Sequence, residues 1–192
     1  MKNLFLIFLA GIFLGGCGDT TDKNAADTPQ KNFFFIEKSP FFKIQIPENW
    51  KEVSPAEFLG KDFSGTIVGA FRALESQKNV FPTLVITTEK IPKNISALEF
   101  SENLMFTHAD RLFSFEKKDE TPIEIAGQKT KLLEFSGATA SDKPPKNFWQ
   151  VAIVRDGRAV IATGVAAIDD NFSPPIIKNI LKTLSFGDVA KR

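Results

Sequence analysis

The stretch "FWQVAIVRDGRAVIATGVA", residues 148–166, constrains the fold of this chain more than any other. Two apolar runs, 148–154 and 159–165, flank Arg155-Asp156-Gly157-Arg158. Asp-Gly accepts the positive φ angles that a two-residue turn demands, so the two runs read as a β-hairpin. Their apolar residues follow one another instead of alternating. A strand of that kind belongs to a sheet covered on both faces, so the chain must supply a layer for each side.

The rest of the sequence supplies those layers. Short runs at 33–36 and 42–46 are rich in Phe and Ile. The second alternates, with Phe42, Ile44 and Ile46 set against Lys43 and Gln45, the period of a half-buried strand. Pro47 ends it, and Asn49 tolerates a turn conformation before Trp50. A short helical turn is expected at 55–59 and strands at 66–73 and 83–91. Ser96 and Glu99 then form a capping-box pair, with Ile95 and Phe100 at the staple positions. Leu98, Leu104, Met105, Ala109 and Leu112 keep helical spacing to about Phe113. Strands resume near Phe115, at 123–125 and at 131–135, with Gly127 turning between the last two, and "SDKPPKN" (141–147) reads as a loop. Ser173 is expected to cap a last helix with Pro174 and Pro175 in its first turn. Ile176, Ile177, Ile180, Leu181 and Leu184 give that helix one apolar face. Hairpins with one helix mid-chain and one at the end predict an α+β fold, an antiparallel β-sheet sandwiched by helices. No internal repeat is visible.

Composition limits the function classes. At 192 residues, 43% hydrophobic and 24% charged, the chain suits one ordinary globular domain. A formal net charge of +1 offers no field for phosphate backbones, so nucleic acid is not an expected partner. The 20 Phe and no Tyr favour core packing over proton chemistry, because no phenol is present to donate.

The N-terminus carries the only cysteine. Lys2 gives a short positive region, and residues 4–14 form an apolar run of signal-peptide length. As a helix it would rise roughly 20 Å, short of a hydrocarbon core of about 30 Å. Leu14-Gly15-Gly16-Cys17 resembles a bacterial lipobox, and the resemblance implies diacylglycerol on the Cys17 thiol, cleavage before it and acylation of its amine. The competing readings are an ordinary secreted protein with a chance cysteine and an uncleaved anchor. An exported domain with no second thiol forms no internal disulfide, which leaves Cys17 as an attachment point. Two or three acyl chains suffice to hold a domain at a bilayer. Gly18, where Asp is absent, leans towards the outer membrane facing the periplasm in a host with two membranes. The expected organisation is a signal peptide over 1–16, the lipidated Cys17 with a flexible tether to 32, a domain over 33–186 and a tail over 187–192. The tether "GDTTDKNAADTPQKN" has no apolar period and would reach roughly 20 Å as a coil.

A wider resemblance rests on motif order. "FKIQIPENW", the mid-chain helix, the "IEIAGQKTKLLEF" hairpin and the long apolar hairpin before a last helix look like the PsbP and DcrB-like family over 33–186. Members usually carry Pro-x-Gly-Trp where this chain has Pro47-Glu48-Asn49-Trp50. The resemblance implies a sheet between helices and a non-catalytic role, as a lipid-anchored envelope factor or an accessory of a larger assembly. The plant members' metal-binding residues find no match, and none is carried over.

Candidates for chemistry are few. His108, the only histidine, lies beside Asp110 and Arg111 on the helix stripe. A general base oriented by a carboxylate is one reading; a helix histidine on the core margin with an ordinary partner is the favoured one. No Gly-x-Ser-x-Gly or Ser-x-x-Lys spacing supplies a nucleophile. One histidine and one cysteine make no zinc ligand set. Asp169-Asp170 lacks the alternate spacing of an oxygen-ligand loop and suits the start of the last helix. No phosphate-loop glycine pattern is present, so no catalytic residue, metal or cofactor is expected. Trp50 with Phe41 could form an aromatic recognition patch, although core packing is the preferred role. Lys143 and Lys146, in "KPPK", could touch a protein partner or anionic head groups.

Three functions follow from these readings. The first is a lipid-anchored envelope protein, tied to the membrane through acyl chains on Cys17, that binds or scaffolds another protein. The second is a small-ligand or carrier module with a cavity between sheet and helices; a hydrolase using His108 is remote. A fully packed interior favours scaffolding, and a lined cavity of several hundred Å³ favours a ligand.

Overall fold

The computed structural model describes residues 32–38, 40–58, 65–77 and 79–188, all within the compact unit that runs from Lys31 to the C-terminus. The signal-peptide and Cys17 readings, and most of the tether, lie outside the described residues, as does the end of the tail. The chain runs β1 (Phe33–Lys38), β2 (Phe42–Pro47), β3 (Trp50–Glu52), a 3-10 turn (Pro55–Phe58), β4 (Thr66–Ala73) and β5 (Thr83–Lys90). Helix α1 (Ala97–Arg111) follows, then β6 (Phe113–Ile125), β7 (Gln128–Ala138), β8 (Lys146–Arg155), β9 (Arg158–Ala167) and helix α2 (Ser173–Lys182).

Seven strands form one sheet in the order β3-β4-β5-β9-β8-β7-β6, every neighbouring pair antiparallel. The hairpin read from "VRDGRA" is present. Arg155 pairs with Arg158 across Asp156 and Gly157, whose φ angles are 54° and 73°. Its two strands sit in the middle of the sheet. Every residue of β8 from Asn147 to Val154 is buried, as the unbroken apolar run requires. The architecture is therefore the expected α+β class.

The two faces of the sheet are covered differently. On one face Trp149, Val151 and Ile153 of β8 and Val160 and Ala162 of β9 pack against Ile177, Ile180 and Leu181 of α2. Phe42, Ile44 and Ile46 join the same cluster, so β2 and its partner β1 share this layer with the helix. The two-stranded ribbon is separate from the main sheet and is tied back by paired hydrogen bonds between Lys43 and Ser185. At Gly164 the helix comes so close that a Cβ would collide with the Ile177 side chain. On the other face α1 packs on β6, β7 and β8. Its Phe100, Leu104 and Met105 meet Leu133, Phe135, Phe148 and Ile161. Over the β4–β5–β9 half of that face, among the described residues, lies the 3-10 turn, where Phe58 packs with Val53, Ala70 and Val85.

Caps show what fixes the helices. The Ser96 side chain accepts from the Glu99 amide at 3.1 Å, as predicted. For α2 the expectation is corrected: Ser173 is the first helical residue, not the cap. Asp170 Oδ1 does that work, accepting from the amides of Phe172 and Ser173 at 2.8 and 2.9 Å. A carboxylate ahead of the first turn can serve two amides at once and suits the positive helix end. Two strands also differ from expectation. β3, at Trp50, is too short for periodicity to reveal. β6 runs unbroken for 13 residues through "EKKDET", because a sheet edge accepts exposed charge on both sides.

Candidate functional site

Beside α1, the β4–β5–β9 half of the same sheet face forms a cleft of about 470 Å³ among the described residues. Sheet register lays out its floor in rows. In the first, Arg72 of β4 stands beside Thr83 of β5, then Val165 of β9, Phe148 of β8 and Phe135 of β7. The next row inward sets Val85 beside Thr163 and Thr163 beside Gln150. Thr87 and Ile161 pair deeper still. Lys146 lies at the outer margin, opposite Ala167. His108 and Leu112 wall the cleft from the α1 side, and Phe58, Val80 and Phe81 from the other.

His108 is the organising polar group. Gln150 Nε2 donates to Thr163 Oγ1 at 2.8 Å, which leaves Gln150 Oε1 to accept from His108 Nε2 at 2.8 Å. An amide oxygen only accepts, so Nε2 carries the ring proton and Nδ1 is the acceptor. The imidazole stacks on Phe135 with centroids 4.6 Å apart, and Phe135 stacks on Phe148 at 5.1 Å. Burial holds the His108 pKa below its ordinary value; the Gln150 bond offsets part of this, and the Arg111 charge adds to the lowering. At neutral pH the ring is thus uncharged. Its partner is an amide, and Asp110 is exposed on the helix, so the carboxylate-oriented base is not assembled; the core-margin reading of His108 describes what is found. Arg72, by contrast, is charged, and its Nη2 meets Glu57 Oε2 at 2.7 Å. Among the described residues no group of His, Cys, Asp and Glu is placed to hold a metal ion.

The other candidates do not form one surface. Trp50 is buried in the α2-face core, the packing role preferred for it. Phe41 is half-buried under the Arg158 guanidinium. Lys143 is exposed, with Asp142 at 3.8 Å, and only Lys146 reaches the cleft. Sequence reasoning missed Arg72, Gln150 and Thr163. The signal was there in part: Gln150 and Thr163 are polar side chains inside otherwise apolar, doubly covered strands, where each needs a partner.

This arrangement defines a class by fold: an antiparallel α+β sandwich with one sealed face and one face hollowed into a cleft. Solved structures share the fold. A Pseudomonas aeruginosa protein of unknown function aligns with a TM-score of 0.56 at 16% identity, over 82% of this chain and 99% of the other. Cyanobacterial PsbP (CyanoP) from Synechocystis sp. PCC 6803 aligns at 0.56 and 14%, over 90% of this chain and 98% of the other. LpqN of Mycobacterium tuberculosis, a protein involved in cell envelope biogenesis, aligns at 0.55 and 15%, over 83% and 92%. The fold is PsbP-like, and at these identities the likeness concerns fold alone. No family model matches the chain, and no curated protein matches it in sequence. No helix among the described residues is long and apolar enough to cross a membrane.

Proposed function

We propose that this chain is a non-catalytic, lipid-anchored protein of the bacterial cell envelope whose PsbP-like domain binds a small ligand in the His108 cleft. The observation that carries the reading is the cleft of about 470 Å³. It has the size of a small-molecule site and its usual make-up, apolar walls with a few fixed polar groups. The second of the three functions read from the sequence is therefore preferred to scaffolding. The anchoring part rests on Leu14-Gly15-Gly16-Cys17, and the Gly18 lean gives the outer membrane facing the periplasm. The envelope role of LpqN, which shares the fold, is consistent with that location.

Protein binding remains the second reading, favoured by exposed Leu74, Phe81, Ile168 and Phe172, carried by loops at the end of the sheet where β4 and β9 stop and β5 begins. The ligand reading is tested by native mass spectrometry of the protein extracted from its host's membranes. A bound small molecule that leaves on denaturation is expected. Ligand-free protein, with crosslinks from the Leu74–Phe172 end to one envelope protein, would favour scaffolding instead. Cys17→Ala should move the protein from the membrane fraction to the soluble one; a variant that stays membrane-bound ends the anchoring proposal.

A further inference from the structure

The chemistry of the cleft narrows what it would hold, granted that it is a ligand site as proposed above. Among the described residues, the charged side chains that line it, Arg72 and Lys146, are both cationic, and no Asp or Glu lines it. Both lie on the outer rows of the floor, Arg72 beside Thr83 and Lys146 opposite Ala167, whereas the inner rows present uncharged Gln150, Thr163 and Thr87. Glu57, which pairs with Arg72, does so through Nη2 and is not part of the lining. A guanidinium carries five N–H donors in a fork, so one carboxylate does not exhaust it, and a second anion can be held in plane. The Arg72 guanidinium also stands 6.0 Å from the Phe58 ring, which limits its swing. Around these cations Phe58, Val80, Phe81, Leu112, Phe148 and Ile161 give the lining its apolar and aromatic part, with polar Asn79 and Thr139 beside them.

We infer that the cleft binds a small organic anion, an apolar or aromatic body carrying one carboxylate or sulfonate, with the anionic group at Arg72 on the outer rows. The body packs between Phe58 and Phe81 on one side and Leu112 and Phe148 on the other. Gln150 Oε1 and Nε2 are already committed to His108 and Thr163, so the inner rows meet the body with few open donors.

Two fluorescent probes with one aromatic body test the inference on the full chain. 1-Anilinonaphthalene-8-sulfonate carries a sulfonate, and N-phenyl-1-naphthylamine does not. The sulfonate probe should bind about tenfold more tightly, the worth of one charge-assisted contact. That margin should shrink with added salt and largely vanish in Arg72→Met, which keeps the apolar stem. Thr83→Trp, beside Arg72 in the first floor row, should block both probes. Thr139→Trp, at an exposed lining position, serves as a second block should the first disturb folding, and near-UV circular dichroism checks every variant. Equal affinity for the two probes, both blocked by Trp, overturns the anion inference and leaves the ligand site standing. Binding of neither probe, or binding that both Trp variants leave intact, overturns the ligand-site reading itself.

Discussion

At the scale of single residues, His108 links the cleft to pH. Its pKa is depressed in the folded state, so the unfolded chain takes up a proton first as pH falls. Stability is therefore unaffected by this group well above its ordinary value of 6.5 and declines as pH drops below it, until the folded-state value is reached. His108→Gln cannot titrate. The difference in unfolding free energy between wild type and this variant should be constant above about pH 7.5 and shift against wild type towards pH 5, as read by urea melts at each pH. A constant difference across the range would mean that the ring is not held neutral by burial. Asp170 gives a second test. Asp170→Ala should cost about 1–2 kcal/mol, because it orphans two amides at the start of α2, and Ser173→Ala well under half of that. A reversed order would restore Ser173 as the cap. The sequence placed an acidic pair ahead of α2 but could not show which oxygen reaches which amide. That choice depends on the path of the chain after β9.

At the scale of elements, the contact of α2 with β9 decides how tightly the sealed face closes. Gly164 is where the helix comes nearest to the strand, against Ile177. Gly164→Ala should destabilise the domain by about 1–3 kcal/mol through overpacking. Ile177→Ala alone should cost about 2–5 kcal/mol as a cavity. Combined, they should cost less than their sum, since each relieves the other's fault; chemical denaturation of the four proteins closes the cycle. Additive costs would place the helix elsewhere. Across the sheet, α1 is joined to the β6–β7 edge by Lys131, whose ammonium meets Glu102 of the helix at 3.0 Å and Glu120 of β6 at 3.2 Å. The elements themselves were legible where local chemistry dominates: the Ser96 cap, the Asp156-Gly157 turn and the period-2 run of β2. β3 and the middle of β6 were not, because their strand form is imposed by neighbouring strands.

At the scale of the molecule, one sheet serves two cores. Both tryptophans, Trp50 and Trp149, belong to the α2-face cluster, so fluorescence reports that face while far-UV circular dichroism reports the whole. β8 and β9 contribute alternate residues to both faces, so neither face can melt without exposing the other. The two signals should give coincident urea transitions, as a cooperative domain requires. A fluorescence transition displaced from the dichroism transition would show that the half-covered face opens on its own.

Sequence alone determined the α+β class, the central hairpin and the apolar stripe of α2. These follow from short-range patterns: turn chemistry, period, caps and the burial that an unbroken apolar strand demands. It also favoured a core-margin histidine over a general base at His108. Only the tertiary structure decided that α1 packs on β6, β7 and β8, that Arg72 of β4, Gln150 of β8 and Thr163 of β9 share one cleft, and that Trp50 lies in the core. Those residues are distant along the chain and become neighbours through strand order and register. No local pattern carries that information, because register is set by the packing of the whole sheet.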